Sequence, residues 1–491
     1  MKLHTLIHYL NPYLPIEGMD NPQISSIENN SQKVQPGSLF VCIKGYSVDG
    51  HEFAQSAVEK GAVAILAEKE LPLNIPVIIV KDSKKAMALM ADYFYAQPTQ
   101  KLHLIGITGT NGKTTTSHLI DKIFTDKGEK TGLIGTMYSK IGDQRYETKN
   151  TTPESLTLQK MFKQMVDEEV TTAVMEVSSH ALVEGRVQGC DYNIAVFTNL
   201  SQDHLDFHKT MSAYREAKGL LFAQLGNVYD VTKPKYAILN ADDEVSDIYR
   251  QMTPARVITY GIDRDADFQA ADIKMTAKGT SFELKCPLGT YKVEMNLIGK
   301  FNVYNVLASI AAAAVSNIPL QQAIKSIEDM EGISGRFEAV NAGQDFSVIV
   351  DYSHTPDSLE NALKTIRQFA KKRIFVVVGC GGDRDRNKRP LMAKVACELA
   401  SDPVFTADNP RTEDPQQILR DMESGVTGAA YQCIIDRKQA IQSVVNEATA
   451  DDVILIAGKG HETYQIIGKD IFDFDDRKVA KMAIEERLKR C

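Results

Sequence analysis

The sequence predicts an α/β protein of three domains, and three observations support this fold class. The chain has 491 residues, too many for one hydrophobic core of ordinary size. Short apolar runs at 102–108, 172–177, 194–198 and 236–240 alternate with helical patterns, as in a parallel sheet with helices on both faces. A second series at 347–351, 373–378, 403–406 and 452–457 repeats the alternation. We therefore expect a central parallel-sheet domain followed by a Rossmann-like α/β domain.

The region before the first series is predicted to be a small mixed α/β domain. A turn at Pro36 and Gly37 precedes a predicted strand at 39–43, and the polar stretch at 95–101 is typical of a linker. A β-rich excursion over 267–297, with a hairpin signal at 277–280, precedes a predicted helix over 305–315. The predicted domains are residues 1–100, 101–331 and 332–491.

Composition predicts a soluble cytoplasmic protein that does not bind nucleic acid. No apolar run approaches the roughly 18 residues that span a bilayer, and the amino terminus has no signal-peptide pattern. The seven cysteines form no CxxC pair, so neither a disulfide framework nor a zinc cluster is indicated. The net charge of −8 argues against nucleic acid as a partner. A phosphate or carboxylate site must therefore be built locally from basic residues.

The segment from Gly109 to Thr115 is the sharpest single signal. It follows a predicted strand and opens a helix, so its backbone N–H groups can surround phosphate oxygens at the positive helix end. Lys113 would reach the β- and γ-phosphates of ATP, and the Thr114 hydroxyl could bind Mg²⁺. Ile107 stands where the general GxxxxGK[ST] pattern has its first glycine. The alternative is a glycine turn followed by an exposed lysine.

Two further polar side chains follow predicted strands of the same sheet. Glu176 lies at the end of the run at 172–177, and His204 follows the run at 194–198. Both could face the phosphate loop as metal ligands, because parallel strands deliver their carboxyl ends to one edge. A solvated or helix-capping role is equally consistent with either residue type.

Ten segments together resemble the Mur ligase family, the ATP-driven enzymes that build the peptide stem of peptidoglycan. They lie at 109–115, 150–155, 175–180, 198–208, 299–305, 335–338, 351–358, 381–385, 408–411 and 458–462. The resemblance covers nearly the whole chain and is greatest to the members that add diaminopimelate. It implies that ATP drives the joining of meso-2,6-diaminopimelate to UDP-N-acetylmuramoyl-L-alanyl-D-glutamate through an acyl phosphate, with Mg²⁺, during cytoplasmic peptidoglycan precursor synthesis. We expect a monomer that does not insert into membranes.

The resemblance also implies roles for individual residues. The ATP-binding positions are Gly109, Thr110, Asn111, Gly112, Lys113, Thr114, Thr115, Asn302, Arg336 and Asp351. The metal positions are Thr114, Glu176, His204 and a carbamylated Lys218, and the catalytic positions are Lys113, His204 and Lys218. The positions for the UDP-linked substrate are Ser31, Thr151, Thr152, Ser178 and Arg186. The positions for diaminopimelate are Arg384, Asp408, Asn409, Pro410, Arg411, Gly458 and Glu462.

Several of these positions have other interpretations from residue type alone. Lys218 would otherwise be a solvated helix lysine, although a carbamate, unlike an ammonium, is the anionic oxygen ligand that Mg²⁺ prefers. Asn302 could cap a helix, and Arg336 could form a surface ion pair. The histidines that we interpret as structural are His180, His208 and His354.

The sequence departs from the family pattern near two substrate positions. Asn30 and Gln32 flank Ser31 where the family usually has aspartate and arginine. Glu184 occupies a position that is usually glutamine, and we assign it no role.

Arg411 is predicted to decide which amino acid is used. Pro410 stiffens the turn before it, so the guanidinium projects from a fixed position. A guanidinium can bind the distal carboxylate of diaminopimelate through two parallel hydrogen bonds, while Glu462 binds the neighbouring ammonium. Lysine lacks that carboxylate, so we expect it to be rejected. The alternative is that Arg411 pairs with Glu413 or Asp414 on the surface.

Two other functions fit part of the sequence. A folylpolyglutamate synthetase shares the fold class and acyl-phosphate chemistry, but its match would be confined to the phosphate loop and metal residues. The segments at 151–155 and 408–411, and a domain before the phosphate loop, argue against it. A nucleotide-binding switch that ligates nothing is disfavoured because Lys113, Glu176, His204 and Lys218 occur together. Hydrolysis of ATP only when acceptor and amino acid are both present would distinguish a ligase.

Overall fold

The computed structural model describes residues 1–45, 48–227, 230–276 and 279–490. The helices are α1 Leu3–Leu10, α2 Ala54–Glu59, α3 Ser83–Phe94, α4 Lys113–Asp126, α5 Ser155–Asp167, α6 Ser179–Val183, α7 Leu205–His208, α8 Met211–Ala223, α9 Val245–Met252, α10 Lys300–Val315, α11 Leu320–Glu328, α12 Pro356–Arg367, α13 Lys388–Leu399, α14 Pro415–Glu423, α15 Arg437–Glu447 and α16 Asp476–Leu488. The strands are β1 Ser26–Glu28, β2 Ser38–Val41, β3 Ala62–Ala67, β4 Val77–Ile79, β5 His103–Thr108, β6 Thr131–Ile134, β7 Ser139–Ile141, β8 Gln144–Tyr146, β9 Thr172–Glu176, β10 Ile194–Phe197, β11 Tyr236–Asn240, β12 Arg256–Gly261, β13 Phe268–Thr276, β14 Gly279–Cys286, β15 Gly289–Met295, β16 Glu338–Ala339, β17 Ser347–Asp351, β18 Ile374–Val378, β19 Asp402–Phe405, β20 Gln432–Cys433, β21 Val453–Ala457, β22 Tyr464–Ile467 and β23 Asp470–Asp473.

The first sheet is parallel and has the strand order β1-β2-β3-β4. Alternate residues of β2 point to opposite faces, so Leu39 packs with α1 and α3 whereas Phe40 packs with α2. Because both faces are covered, β2 is buried along its whole length. The predicted strand at 39–43 is confirmed, but it starts one residue earlier and ends two residues earlier, at Val41. Helix α3 also packs on α5 and thereby connects this sheet to the next part of the chain.

The second sheet contains the phosphate-loop strand at its centre. Its order is β15-β14-β13-β12-β11-β10-β5-β9-β6-β7-β8. The pairings from β13 through β12, β11, β10, β5 and β9 to β6 are all parallel, whereas both edges are antiparallel. Helices α4, α10 and α11 pack on one face and α5, α8 and α9 on the other. The four strands predicted here and the β-rich excursion are confirmed.

Two details of this sheet differ from the sequence-based expectation or lie beyond it. Strands β13 and β14 pair up to Thr276 and Gly279, but Ala277 and Lys278 of the predicted hairpin turn lie outside the described residues. Helix α10 begins at Lys300 rather than at residue 305. It starts directly after Gly299, whose φ of 110° is a conformation that favours glycine.

The third sheet has the order β16-β17-β21-β18-β19-β20 and is parallel apart from its β16 edge. Helices α12, α13 and α14 pack on one face, and α15 and α16 on the other. The four predicted strands match β17, β18, β19 and β21 to within one residue at each end. A separate hairpin of β22 and β23 follows β21. The predicted α/β fold class is thus confirmed.

No helix in the described ranges is long and apolar enough to cross a membrane. The cysteines from Cys42 to Cys433 are all free.

Candidate active site

A cavity of about 620 Å³ lies between the second and third sheets, at the carboxyl ends of their central strands. The loop before α4, the ends of β9 and β10, and α8 line it from one side, and the segment after β17 lines it from the other. The predicted site residues that line this cavity are Thr110, Asn111, Gly112, Lys113, Thr114, Thr115, Thr151, Glu176, Ser178, His204, Lys218, Arg336 and Asp351. The structure therefore brings the predicted ATP and metal positions together, apart from Gly109 and Asn302.

The phosphate loop runs from the end of β5 into α4. Gly112 has a φ of 87°, and a Cβ at this position would lie 2.4 Å from Oδ1 of Asn305, so a side chain is excluded. The Nζ atom of Lys113 donates to the carbonyl oxygens of Gly109 at 2.7 Å and Thr110 at 2.8 Å. Burial lowers the pKa of Lys113, and Glu176 opposes that shift. The backbone carbonyl groups of the loop thus hold the Nζ atom of Lys113.

Glu176 is fully buried at the end of β9. Its carboxylate accepts hydrogen bonds from the Thr114 hydroxyl at 3.1 Å, from the Thr136 N–H at 3.0 Å and from the Thr136 hydroxyl at 2.9 Å. None of the described lysines, arginines or histidines forms an ion pair with it. A buried carboxylate among hydroxyl groups is the hard oxygen set that suits Mg²⁺.

The described residues contain no group of three or more His, Cys, Asp and Glu side chains that could hold a metal. Mg²⁺ is usually bound by one or two carboxylates together with substrate phosphates, so a dedicated protein cage is not needed. Thr114 and Glu176 beside a phosphate loop fit this manner of binding.

Lys218 lies on α8 and is only 1% exposed. Its Nζ donates to the carbonyl oxygen of Gly109 at 2.8 Å and lies 4.4 Å from the ring centre of Tyr214. Burial, and next the charge of Lys113, hold the pKa of Lys218 well below its usual value. The neutral amine, which is the form that reacts with carbon dioxide, is therefore favoured. Lys218 is not the solvated helix lysine of the alternative interpretation.

His204 follows β10 and opens α7, with a backbone φ of 55°. Its ring lies 4.9 Å from the ring of His180, and its Nε2 is 3.4 Å from a carboxylate oxygen of Asp203. The ring thus stands at the rim of the cavity, next to the side chains on α8. Two histidines interpreted as structural have hydrogen-bond partners: His208 contacts the Ser179 hydroxyl at 2.8 Å, and His354 contacts the Tyr352 carbonyl at 2.9 Å.

Arg336 connects the third sheet to the phosphate loop. Its Nη2 donates to the Thr114 hydroxyl at 3.0 Å, and its guanidinium lies 4.5 Å from the ring centre of Tyr352. Asp351 accepts from the Phe337 N–H at 2.8 Å and from the Ser353 hydroxyl, and thereby fixes the loop that carries Arg336. Arg336 thus lies in the cleft and not in a surface ion pair.

Asn302 lies behind the cavity wall. Its amide donates to the Ile298 carbonyl at 2.9 Å and accepts from Asn305 at 3.1 Å, inside the first turns of α10. The cavity wall here is formed instead by Phe301, Tyr304 and Asn305. The role of Asn302 near the nucleotide therefore stays a prediction.

Four of the predicted UDP-substrate positions form one connected group at the end of β9. The Thr151 hydroxyl contacts Thr136 at 3.0 Å, and the Thr152 hydroxyl donates to the Glu176 carbonyl at 2.9 Å. Ser178 caps α6, with its N–H on the Thr152 hydroxyl at 3.0 Å. The guanidinium of Arg186 donates to the Thr152 carbonyl at 3.0 Å.

Two carboxylates balance the charge of Arg186, and one of them belongs to the unassigned Glu184. Glu184 lies 2.5 Å from Arg186, and Glu154 lies 3.0 Å away on another side. Glu184 also lies 3.6 Å from Lys84 on α3, which is a charged contact to the first sheet. Ser31 belongs to that first part of the chain, where its carbonyl accepts from Lys60 at 3.1 Å.

The predicted diaminopimelate positions gather at the carboxyl end of the third sheet. Arg411 donates through Nη1 to the Gly382 carbonyl at 2.7 Å. A Cβ on Gly381 would lie 2.9 Å from Nη1 of Arg411 and 3.8 Å from Cγ of Arg384, so both arginines flank this one glycine. Burial, and next the Arg411 charge, lower the pKa of Arg384. The two arginine side chains thus lie close together, and no carboxylate of the described residues pairs with both.

The alternative pairing of Arg411 with Glu413 or Asp414 does not form in the structure. Glu413 pairs with the buried Arg389 at 2.8 Å and with Arg386 at 3.0 Å. Asp414 caps α14.

The remaining members of this group pack around Glu462. The Asn409 amide donates to Glu462 at 2.8 Å, and Asp408 lies so near Gly458 that a Cβ there would be 2.5 Å from its Oδ2. The carbonyl of Pro410 accepts from the Glu413 N–H at 3.1 Å, which closes the turn. Burial, and next Asp408, raise the pKa of Glu462.

Sequence reasoning missed two residues that join these elements. Asp357, at the start of α12, accepts from the Asn111 amide at 2.7 Å and from the Ser201 hydroxyl at 3.0 Å, so it connects the phosphate loop to the third sheet. Lys459 is buried beside Glu462 and Asn409. Both lie inside the family segments, but only their tertiary contacts identify them.

Known proteins with similar sequences cover the whole chain. The family descriptions "Mur ligase family, catalytic domain", "Mur ligase middle domain" and "Mur ligase, glutamate ligase domain" match residues 23–95, 107–313 and 335–460. A Bacillus cereus protein named UDP-N-acetylmuramoyl-L-alanyl-D-glutamate–2,6-diaminopimelate ligase is 59% identical over 488 residues, 99% of each chain. A Geobacillus thermodenitrificans protein of the same name is 58% identical over 99% of this chain and 100% of its own.

A solved structure supports the same relationship. A UDP-N-acetylmuramoyl-L-alanyl-D-glutamate–2,6-diaminopimelate ligase superposes with a TM-score of 0.69 at 35% identity, over 95% of each chain. Sequence matches, overall fold and the grouping of the ten segments around two neighbouring sheet edges all agree. The chain belongs to the Mur ligase family.

Proposed function

We propose that this chain is the ligase that joins meso-2,6-diaminopimelate to UDP-N-acetylmuramoyl-L-alanyl-D-glutamate at the expense of ATP. Relatives with that name are 58–59% identical over almost the whole chain. The observation that supports the amino-acid choice is the pair of arginines, Arg384 and Arg411, at Gly381. In this proposal residues 1–100 bind the UDP end, 101–331 bind ATP and 332–491 bind the amino acid.

The reaction begins with transfer of the γ-phosphoryl group of ATP to a carboxylate of the UDP-linked substrate. Every reacting group is anionic, so the protein must supply positive charge in a cleft that excludes water. Lys113 and Arg336 are the cations that converge on the phosphate loop from the two sides of the cavity. Mg²⁺ held by Thr114, Glu176, His204 and carbamylated Lys218 would neutralise phosphate charge.

The second step is attack of the amino acid's neutral amine on the acyl phosphate. The amine nitrogen bonds to the acyl carbon to give a tetrahedral intermediate. The carbon–oxygen bond to phosphate then breaks, phosphate leaves and the nitrogen loses a proton to solvent. The negative oxygen of that intermediate needs the same cations as the phosphoryl group. Closure of the cleft, with Asp357 on Asn111, would exclude water, which otherwise hydrolyses the acyl phosphate.

Lys218 is proposed to act as a carbamate. An ammonium this deeply buried is costly without a carboxylate partner in contact, and among the described residues its Nζ contacts a carbonyl oxygen and an aromatic ring, whereas Asp203 acts on it without a hydrogen bond or an ion pair. Reaction of the neutral amine with carbon dioxide converts it to an anionic oxygen ligand beside the phosphate loop.

The UDP-linked substrate is proposed to lie between the first sheet and the end of β9. The hydroxyl groups of Thr151, Thr152 and Ser178 and the guanidinium of Arg186 suit its phosphate and carboxylate groups. Ser31 would contact the substrate from the first domain. The enzyme is proposed to work as a monomer in the cytoplasm, and light scattering at working concentration tests the monomer.

The experiment that tests the proposal is an amino-acid panel with purified protein, ATP, Mg²⁺ and the UDP-linked dipeptide, in which phosphate release is measured. We expect release only when both acceptor and meso-diaminopimelate are present, with L-lysine slower by about 10⁴-fold, the scale set by loss of a buried polar contact. Release without the acceptor would indicate a nucleotide switch. Comparable rates with the two amino acids would overturn the specificity but not the ligase activity.

A further inference from the structure

Lys459 is a buried lysine in the loop between β21 and β22, and none of the roles described so far uses it. Its side chain is 0% exposed. The Nζ atom donates to Oδ1 of Asn409 and to Oε2 of Glu462, each at 3.1 Å. Its ammonium also lies 5.5 Å from the ring centre of Tyr464. A buried ammonium is costly unless it is paired, so this group is held in place by the two side chains that it contacts.

The hydrogen bonds around Lys459 orient the carboxylate of Glu462. Oε2 of Glu462 accepts from both Lys459 and the Asn409 amide, the latter at 2.8 Å. The Asn409 amide cannot turn over without loss, because its Oδ1 accepts from the Ile466 N–H at 3.0 Å as well as from Lys459. Within the described part of the chain, no hydrogen bond ends on Oε1 of Glu462. One oxygen is therefore fixed and the other remains for a ligand.

The charges near Glu462 show why a cation is needed there. Burial, and next the Asp408 carboxylate, raise the pKa of Glu462, whereas Lys459 and the Asn409 amide oppose that shift. The ionisable groups that face Glu462 from the surrounding elements are Tyr352, Asp408, Arg437, Lys459 and Tyr464. Arg437 is already engaged in a buried pair with Asp476 at 2.7 Å. Lys459 is thus the cation in direct contact with this carboxylate.

We propose that Lys459 is a positioning residue for amino-acid recognition. It holds one oxygen of the ionised Glu462 carboxylate so that the other oxygen binds an ammonium group of the diamino acid. This inference rests on the proposed function of the site and adds a residue to it. Lys459 does not touch the substrate. It keeps the Glu462 carboxylate ionised and correctly oriented, while Arg384 and Arg411 bind a carboxylate of the diamino acid.

The test compares the full-length wild type with Lys459→Met, which keeps the length of the side chain but removes its charge. We expect the KM for meso-diaminopimelate to rise by about tenfold or more at neutral pH, with the KM for ATP unchanged. We also expect that raised KM to fall as pH increases. Without Lys459 the raised pKa of Glu462 moves higher, so a larger fraction of the carboxyl is protonated at a given pH, and raising the pH restores the carboxylate.

Controls separate positioning from general folding. Lys469→Met removes an exposed lysine in the turn of the following β22–β23 hairpin and should leave every KM unchanged. Lys459→Arg keeps the positive charge and should therefore keep most of the affinity for diaminopimelate. Lys459→Gln keeps a hydrogen-bonding group and is used if the methionine variant does not fold. In Glu462→Gln, further replacement of Lys459 should add little to the KM.

The outcomes that would overturn the inference are distinct from those that would overturn the proposed function. A wild-type KM for diaminopimelate in both Lys459→Met and Lys459→Gln at every pH would refute the positioning role. An equal rise in the KM for ATP would refute it too, because that indicates a general structural defect. A wild type that does not use diaminopimelate at all would refute the proposed function itself.

Discussion

Arg411→Ala should weaken diaminopimelate recognition while it leaves the fold and the ATP site intact. The backbone of Arg411 is held by hydrogen bonds that need no side chain: its N–H donates to Ile466 at 3.1 Å, and its carbonyl accepts from Gly468 at 2.6 Å. Its φ of 51° is left-handed, and alanine has the same difficulty there as arginine. The substitution therefore removes little besides the guanidinium and its contact with the Gly382 carbonyl.

The size of the effect follows from the kind of contact that is lost. Truncating one partner of a buried, hydrogen-bonded charge pair costs about 2–5 kcal/mol. At about 1.4 kcal/mol per factor of ten, this is about 30-fold to several-thousand-fold in binding. Arg384 remains beside Gly381 and can still attract the distal carboxylate, so we expect the lower end, about 30- to 100-fold in the KM for diaminopimelate.

The assay is steady-state phosphate release with each substrate varied in turn, and Arg386→Ala is the matched control. Arg386 lies in the loop after β18 that also carries Arg384, but it is 66% exposed and pairs with Glu413, so its loss should change no KM by more than about twofold. The reasoning is refuted if Arg411→Ala keeps the wild-type KM for diaminopimelate. An equal loss in Arg386→Ala would also refute it, because the effect would then be one of general charge.

Three further predictions concern other parts of the molecule. Lys218→Ala should nearly abolish ligation while the circular dichroism spectrum stays unchanged. Added bicarbonate or a small carboxylate should restore part of the activity. Full activity of the variant without these additives would contradict the carbamate. An ATP analogue with the UDP-linked substrate should make the protein more compact in solution scattering. Asp357→Ala should reduce this compaction because the variant loses the contact with Asn111. Identical scattering profiles with and without ligands would contradict closure. Arg437→Met leaves the buried Asp476 unpaired and should lower the free energy of unfolding by about 3–5 kcal/mol, measured by denaturant titration; an unchanged midpoint would contradict that estimate.

The central strands could be predicted because both of their faces are buried. Strands β11 and β17 match their predicted ranges, and each is a run of apolar residues that ends at a polar one. The edges could not be predicted in the same way. Strand β20 consists of two exposed residues, Gln432 and Cys433, and β1 and β4 have three residues each. Such short edges form only because a longer strand beside them offers unpaired backbone groups.

The position of a site residue was predictable where it follows from the residue's place after a strand, and not where it depends on a contact between domains. Glu176 ends β9, and Lys113 and Arg411 lie in or directly after the loops that follow β5 and β19, as their segments indicate. Asp357 was missed because, in the sequence, it is an ordinary acidic residue in the first turn of a helix; its contact with Asn111 spans 246 residues of chain. Lys459 was missed because a lysine after a strand is usually solvated.

A continuous series of contacts joins the predicted diaminopimelate positions to the phosphate loop. Tyr352 packs against His461, next to Glu462, with the ring centres 5.1 Å apart, and the guanidinium of Arg336 lies 4.5 Å from its ring centre. Arg336 in turn donates to Thr114 in the phosphate loop. The contacts therefore run from the loop after β21, through Tyr352, to the arginine that reaches the phosphate loop. Because Arg336 and the predicted diaminopimelate positions both belong to the part of the chain that forms the third sheet, the closure proposed above would bring the attacking amine and the second cation to the phosphate loop together. Such closure would complete the cationic site and protect the acyl phosphate from water until the amine is in place.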